Sequence, residues 1–178
     1  NMLEEIFKKL ETPTEKKEDI YKTQLILGKY HRLGKNYNGL PSILINTKKN
    51  NEAVAPYKGM SIRLRFNINC KIHEENEKQN YTILSCISKD EQIIKIFLDI
   101  CQTTISQLSK EPTPKEISEK TQMLIDLFKE MPNKLSSIVG LWGELYLIKE
   151  SPNIITFWKG SQGTTFDFQQ KNMSLEVK

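Results

Sequence analysis

Apolar residues recur at positions 3, 6, 7 and 10 of the chain, the spacing of one face of a helix. Residues 11–19 are polar, include Pro13, and read as a linker. From residue 23 to about 88 the pattern changes to strands. Four short β-prone runs, 25–27, 42–45, 61–66 and 81–84, are parted by Gly, Asn and Pro turns. In the third run Ile62, Leu64 and Phe66 alternate with Ser61, Arg63 and Arg65, giving one apolar and one cationic face. Two arginines on such a face would suit phosphate, but a solvated sheet surface has the same pattern and is the expectation.

From Asp90 the period is helical again. Ile93, Ile94, Phe97, Ile100, Cys101, Ile105 and Leu108 make a stripe that Pro112 and Pro114 end. A second helix is predicted over 115–129 with Ile117, Met123, Leu124, Leu127 and Phe128 inward, broken at Pro132-Asn133. Ser136 or Ser137 can cap a third, running through Ile138, Leu141, Trp142, Leu145 and Ile148 to about Lys149. A β-prone run at 154–158, a glycine-containing loop and two short strands complete the pattern. The fold class is therefore α+β. A β-rich domain with a leading helix is expected over 1–88, a helical segment over 89–135, and a third part over 136–178.

Composition narrows the function classes without choosing among them. The 178 residues are 38% hydrophobic and 27% charged, which suits a globular protein rather than a disordered or membrane one. A net charge of +4 permits an anionic partner such as nucleic acid but does not require one. Cys70, Cys86 and Cys101 form no CxxC pair and are odd in number, which argues against a disulfide framework or structural zinc. A reducing, cytoplasmic setting follows, with no signal-peptide layout and no membrane-length apolar run. Met2, after Asn1, is the expected native start. His31 and His73 have no metal-ligand spacing and read as surface or turn residues. Tyr30-His31-Arg32 with Lys35 is a basic-aromatic cluster whose expected setting is a solvated loop. Residues 160–163 (Gly-Ser-Gln-Gly) lack the Lys-Ser/Thr of a phosphate-cradling loop.

The end of the chain carries the chemistry. In 164–169 Phe166 and Phe168 alternate with Asp167 and Gln169, and in 175–178 Leu175 and Val177 alternate with Glu176 and Lys178. If Lys171-Asn172 is the turn, Gln170 pairs with Met173, Phe168 with Leu175, and Asp167 with Glu176. Phe168, Leu175 and Val177 then face inward. Two opposed carboxylates about 5 Å apart at Cβ repel, and a divalent cation between them removes the repulsion. Lys178 lies on the same face. Two hard oxygen ligands and an ammonium suit Mg²⁺ and phosphate chemistry. Acids and lysines so spaced also arise by chance on a solvated hairpin.

Upstream, Gly140-Leu141-Trp142-Gly143-Glu144-Leu145 is a helix with two glycines, each costing about 1 kcal/mol against alanine. Glu144 falls at the edge of its apolar stripe, where it would either face the hairpin or be a solvated glutamate. This run, with Trp158-Lys159-Gly160, Phe166-Asp167-Phe168 and Leu175-Glu176-Val177-Lys178, resembles the PD-(D/E)XK nuclease superfamily. It is most similar to a bacterial branch associated with restriction-modification and phage-defence gene clusters.

The resemblance covers 138–178 closely and the remainder loosely. It implies that 136–178 is the first half of a restriction-endonuclease-like core, with Glu144, Asp167, Glu176 and Lys178 catalytic. It further implies Mg²⁺ held by Asp167 and Glu176, DNA as substrate, and methyltransferase or helicase subunits as partners. Phe166 stands where the superfamily name has proline. The family's core continues past the lysine, so the chain is expected to be a truncated, inactive piece of a metal-dependent endonuclease. The alternative expectation is a non-catalytic DNA- or partner-binding module of a defence complex.

Overall fold

The β-prone runs of the first half assemble into one sheet, and that sheet closes on itself. The computed structural model describes residues 1–26, 30–48, 52–72, 78–130, 138–159, 167–170 and 173–175, with backbone alone at 138–142 and 145. These fall into two units, Asn1–Leu124 and Ile125–Lys178. The chain is mixed α and β, with its β-rich part at the N-terminal side.

In the first unit, six strands are β1 (Ile20–Ile26), β2 (His31–Lys35), β3 (Pro41–Ile45), β4 (Tyr57–Lys58), β5 (Ile62–Ile72) and β6 (Lys78–Cys86). Their order is β1-β2-β3-β6-β5-β4 with antiparallel neighbours. β1 also pairs in parallel with the end of β5, at Ile20↔Lys71 and Tyr21↔Ile72. Five strands thus form a small barrel, while β4 pairs with the first half of β5 at Leu64 and Arg63. One strand serves two neighbours because its ladder with β6 shifts between Arg65 and Ile68, where Asn67 adopts φ 54°. Bulges of this kind bend a strand at a barrel rim.

Tyr21, Leu44, Cys70, Ile72, Tyr81 and Ile83 form a core cluster of this unit. β2 packs closely against it. A Cβ on Gly34 would lie 2.8 Å from Leu44 Cδ1 and 3.3 Å from Tyr21 Cδ1, so the absence of a side chain is what admits the strand. β3 is buried on both faces, because helices cover its other side. These are α1 (Met2–Lys9), capped by Asn1, and α2 (Glu91–Ser106), whose N-cap Asp90 accepts from the amides of Gln92 at 2.8 Å and Ile93 at 3.3 Å. Lys35 fastens α1 to β2: its Nζ donates to the Leu10 carbonyl at 2.6 Å and lies 4.4 Å from the Phe7 ring centre.

Three expectations change here. His31 and Arg32 belong to a strand rather than a solvated loop, and His31 is buried with its Nδ1 accepting from the Asn46 amide. Burial holds its pKa below the usual histidine value. The signal was weak because β2 holds only one large apolar residue, Leu33. Arg63 and Arg65 do not present an open cationic face: Arg63 pairs with Glu18 at 2.8 Å, and Arg65 with Asp19 at 2.6 Å. The polar 11–19 stretch thus supplies counter-ions to β5. In α2, Ile96 and Leu98 are buried while Ile93 and Ile94 are half-buried, because the helix lies against both a sheet and α1.

α3 (Pro114–Glu130) starts in the first unit and ends in the second. Thr113 caps it by accepting from the Glu116 amide at 3.2 Å. Ile117, Thr121, Leu124 and Phe128 make its buried stripe, and Met123 is only half-buried. The second unit adds α4 (Ile138–Glu150), a 3₁₀ turn (Pro152–Phe157) and the antiparallel strands β7 (Phe168–Gln170) and β8 (Met173–Leu175). The expected break at Pro132-Asn133 and the caps at Ser136 or Ser137 lie outside the described residues.

Candidate active site

α4 has two unlike sides. Tyr146 is 63% exposed, whereas Glu144, two residues earlier, is 5% exposed. A carboxylate so far removed from water loses several kcal/mol of hydration unless polar groups replace it. One that does so is the indole of Trp158, whose Nε1 donates to Glu144 Oε2 at 2.6 Å.

The local sequence explains how the two meet. α4 ends with the Ser151 amide donating to the Leu147 carbonyl at 2.9 Å, and Pro152, which cannot continue the ladder, opens the 3₁₀ turn. That turn closes with Trp158 N–H donating to the Ile155 carbonyl at 3.3 Å. Trp158 then leaves in extended conformation and bridges Phe168 of β7 in antiparallel fashion. Lys159 N–H donates to the Asp167 carbonyl at 2.8 Å. One dipeptide, 158–159, therefore holds Glu144 by a side chain and Asp167 by the backbone.

Beyond β7, the pairing is Phe168↔Leu175, Gln169↔Ser174 and Gln170↔Met173, the register counted from a turn at Lys171-Asn172. Phe168 is buried as expected, but Leu175 is 41% exposed, which corrects its inward placement. Among the described residues Trp158, β7 and β8 form a ladder in that order, so β8 is its outer strand. The cover over Phe168 does not reach it. Phe166, Glu176, Val177 and Lys178 lie outside the described residues, as do the turn itself and 160–163. Of the four sequence-derived candidates, the structure thus links Glu144 and Asp167 through 158–159.

Both are carboxylates, the hard oxygen donors that Mg²⁺ takes, so their chemistry fits that ion. Among the described residues no group of three or more His, Cys, Asp or Glu side chains gathers as a metal site. Trp158 is the residue whose part the sequence left unassigned. Its signal was a glutamate at the edge of an apolar helix with no basic partner nearby in the chain, a setting that calls for a neutral donor.

The link from a buried helix glutamate through 158–159 to Asp167 leads to the comparison with known families. A family model matches residues 3–178. The chain belongs to the DUF4420 family. That family's description is "Putative PD-(D/E)XK family member", which supports the superfamily that residues 138–178 resemble. No curated protein and no solved structure matches it.

Proposed function

We propose that this DUF4420 protein is a Mg²⁺-dependent endonuclease that hydrolyses phosphodiester bonds of DNA within a restriction or phage-defence system. Methyltransferase or helicase subunits are the partners such a system would provide. The observation that carries the reading is the chain Glu144–Trp158–Lys159–Asp167, in a family assigned to PD-(D/E)XK proteins.

In this reading 136–178 is the opening half of the nuclease core. The observed register, continued by one pair from Phe168↔Leu175, would set Glu176 opposite Asp167. Asp167 and Glu176 would hold Mg²⁺. When bound, the ion neutralises charge on the phosphate and makes an attacking water more acidic. Glu144, oriented by the indole N–H, would orient the water for in-line attack at phosphorus. Lys178 would donate to the non-bridging phosphate oxygens as the bond to the leaving 3′-oxygen breaks.

The test is relaxation of supercoiled plasmid by the full-length protein in millimolar Mg²⁺, with EDTA as control. Asp167→Ala should lower the rate by at least about 100-fold, the scale of losing a preorganised charge in the transition state. Equal rates for the variant and the parent would remove Asp167 from the mechanism.

A further inference from the structure

The cationic face of β5 is occupied by acids, but on the barrel's rim two lysines are not. A cavity of about 720 Å³ opens where the end of β3, the bulge of β5 and the start of β6 meet. Asn46, Phe66, Asn67, Asn80, Lys48 and Lys78 line it. Among the described residues none of the three asparagine amides and neither lysine ammonium has a side-chain hydrogen bond or ion pair. Glu52 also lines the cavity, and its Oε2 accepts from the Lys115 amide at the start of α3.

This rim is shaped before any ligand arrives. The β5 bulge carries Asn67 at φ 54°, a left-handed conformation that asparagine tolerates better than most residues, and leaves it exposed. Tyr81 forms part of the wall, with its hydroxyl donating to Gln79 Oε1 at 2.7 Å and accepting from Arg32 Nε at 3.2 Å. A fixed wall thus carries amide donors and acceptors, an aromatic ring and two ammonium groups. Amides read the edges of bases, aromatic rings stack on their faces, and lysines take phosphate. The volume lies within the roughly 300–1,000 Å³ of small-ligand clefts, so it suits an unstacked nucleotide, not a duplex.

We infer that the cleft at the rim of the N-terminal barrel binds single-stranded nucleic acid, seating a base against Phe66 and the three asparagines with its phosphates at Lys48 and Lys78. The choice of nucleic acid rests on the nuclease reading; the location does not.

The experiment is fluorescence anisotropy of the whole chain with a labelled 12-nucleotide DNA strand, in EDTA so that cleavage is silent. With two phosphate contacts, the affinity should fall with salt at a logarithmic slope of about 1.4, twice the ~0.7 per contact of single strands. Lys78→Ala and Lys48→Ala, both at exposed positions, should each lower that slope by about 0.7. Phe66→Ala should weaken binding about 5- to 150-fold, the worth of one stacked base. Because Phe66 is half-buried, Asn80→Ala, at an exposed position, tests the base contact without disturbing the core. It should weaken an ordinary strand at least threefold while leaving an abasic strand unchanged.

No binding at low salt would overturn the inference. So would equal affinity for duplex, or parental binding by the Lys48, Lys78 and Asn80 variants together. Plasmid cleavage separates the two readings. An Asp167→Ala variant that cleaves normally removes the catalytic assignment and leaves the cleft standing, whereas unaltered binding by the cleft variants removes the cleft and leaves cleavage standing.

Discussion

Glu144 is a glutamate that its own sequence neighbourhood would put at the margin of a helix face, yet it is nearly out of reach of water. Its indole partner is donor-only and uncharged, so it fixes one carboxylate oxygen without adding a charge to the site. Replacing Trp158 by phenylalanine keeps most of the ring and removes the N–H. A buried acceptor deprived of a partner costs about 1–3 kcal/mol, and the variant should be less stable by that amount in urea titration. If Trp158 positions Glu144 for catalysis, the Mg²⁺ concentration for half-maximal plasmid cleavage should also rise, at least threefold. A purely structural role would lower stability alone and leave that concentration where it was.

The elements show a different economy. β5 is long enough to carry two neighbours on one edge, and its bulge divides β4 from β1. Closing the barrel this way draws β2 against the core and leaves no room at Gly34. Gly34→Ala should overpack that contact and destabilise the protein by about 1–3 kcal/mol, measured by thermal or urea unfolding. An unchanged midpoint would mean that Leu44 and Tyr21 can move aside without cost. The same elements decide the fate of charge. Glu18 and Asp19, at the end of a polar stretch that looks featureless in one dimension, face the two arginines of β5. Lys48 and Lys78 line the cavity beside the ladder's bulge, where the described acid, Glu52, accepts from the Lys115 amide.

At the scale of the whole molecule, the two units carry separate natural probes. All three cysteines lie in the first unit and both tryptophans in the second. The thiols are free and buried, and burial pushes Cys70 up to about 12, Cys86 to about 11 and Cys101 upward as well. Only the thiolate attacks a disulfide reagent, so at pH 8 the native thiols should stay silent toward Ellman's reagent. They should react in the urea range where the barrel opens. Rapid labelling without urea would show that the barrel opens locally. A raised folded pKa also fixes the sign of alkaline behaviour. The contribution of these thiols to stability is whole below their ordinary value of 9 and drains as pH rises toward 11–12.

The sequence by itself determined what periodicity and short-range register can carry. It placed the three long helices to within a few residues and located four of the five barrel strands. It also set the pairing of the last hairpin, because side chains alternate with period two and a turn at Lys171-Asn172 fixes the count. Residue type and spacing singled out Glu144 and Asp167, which the structure links through 158–159. Only the tertiary structure decided the rest. Strand β2, with His31 buried and Gly34 against the core, is stabilised by its neighbours rather than by its own apolar content. Leu175 is 41% exposed although it pairs with buried Phe168, whatever its alternation suggests. Barrel closure, the acids facing Arg63 and Arg65, and the indole on Glu144 all join residues that one-dimensional spacing leaves unrelated. Their energies come from desolvation and close packing, which exist only once distant segments meet.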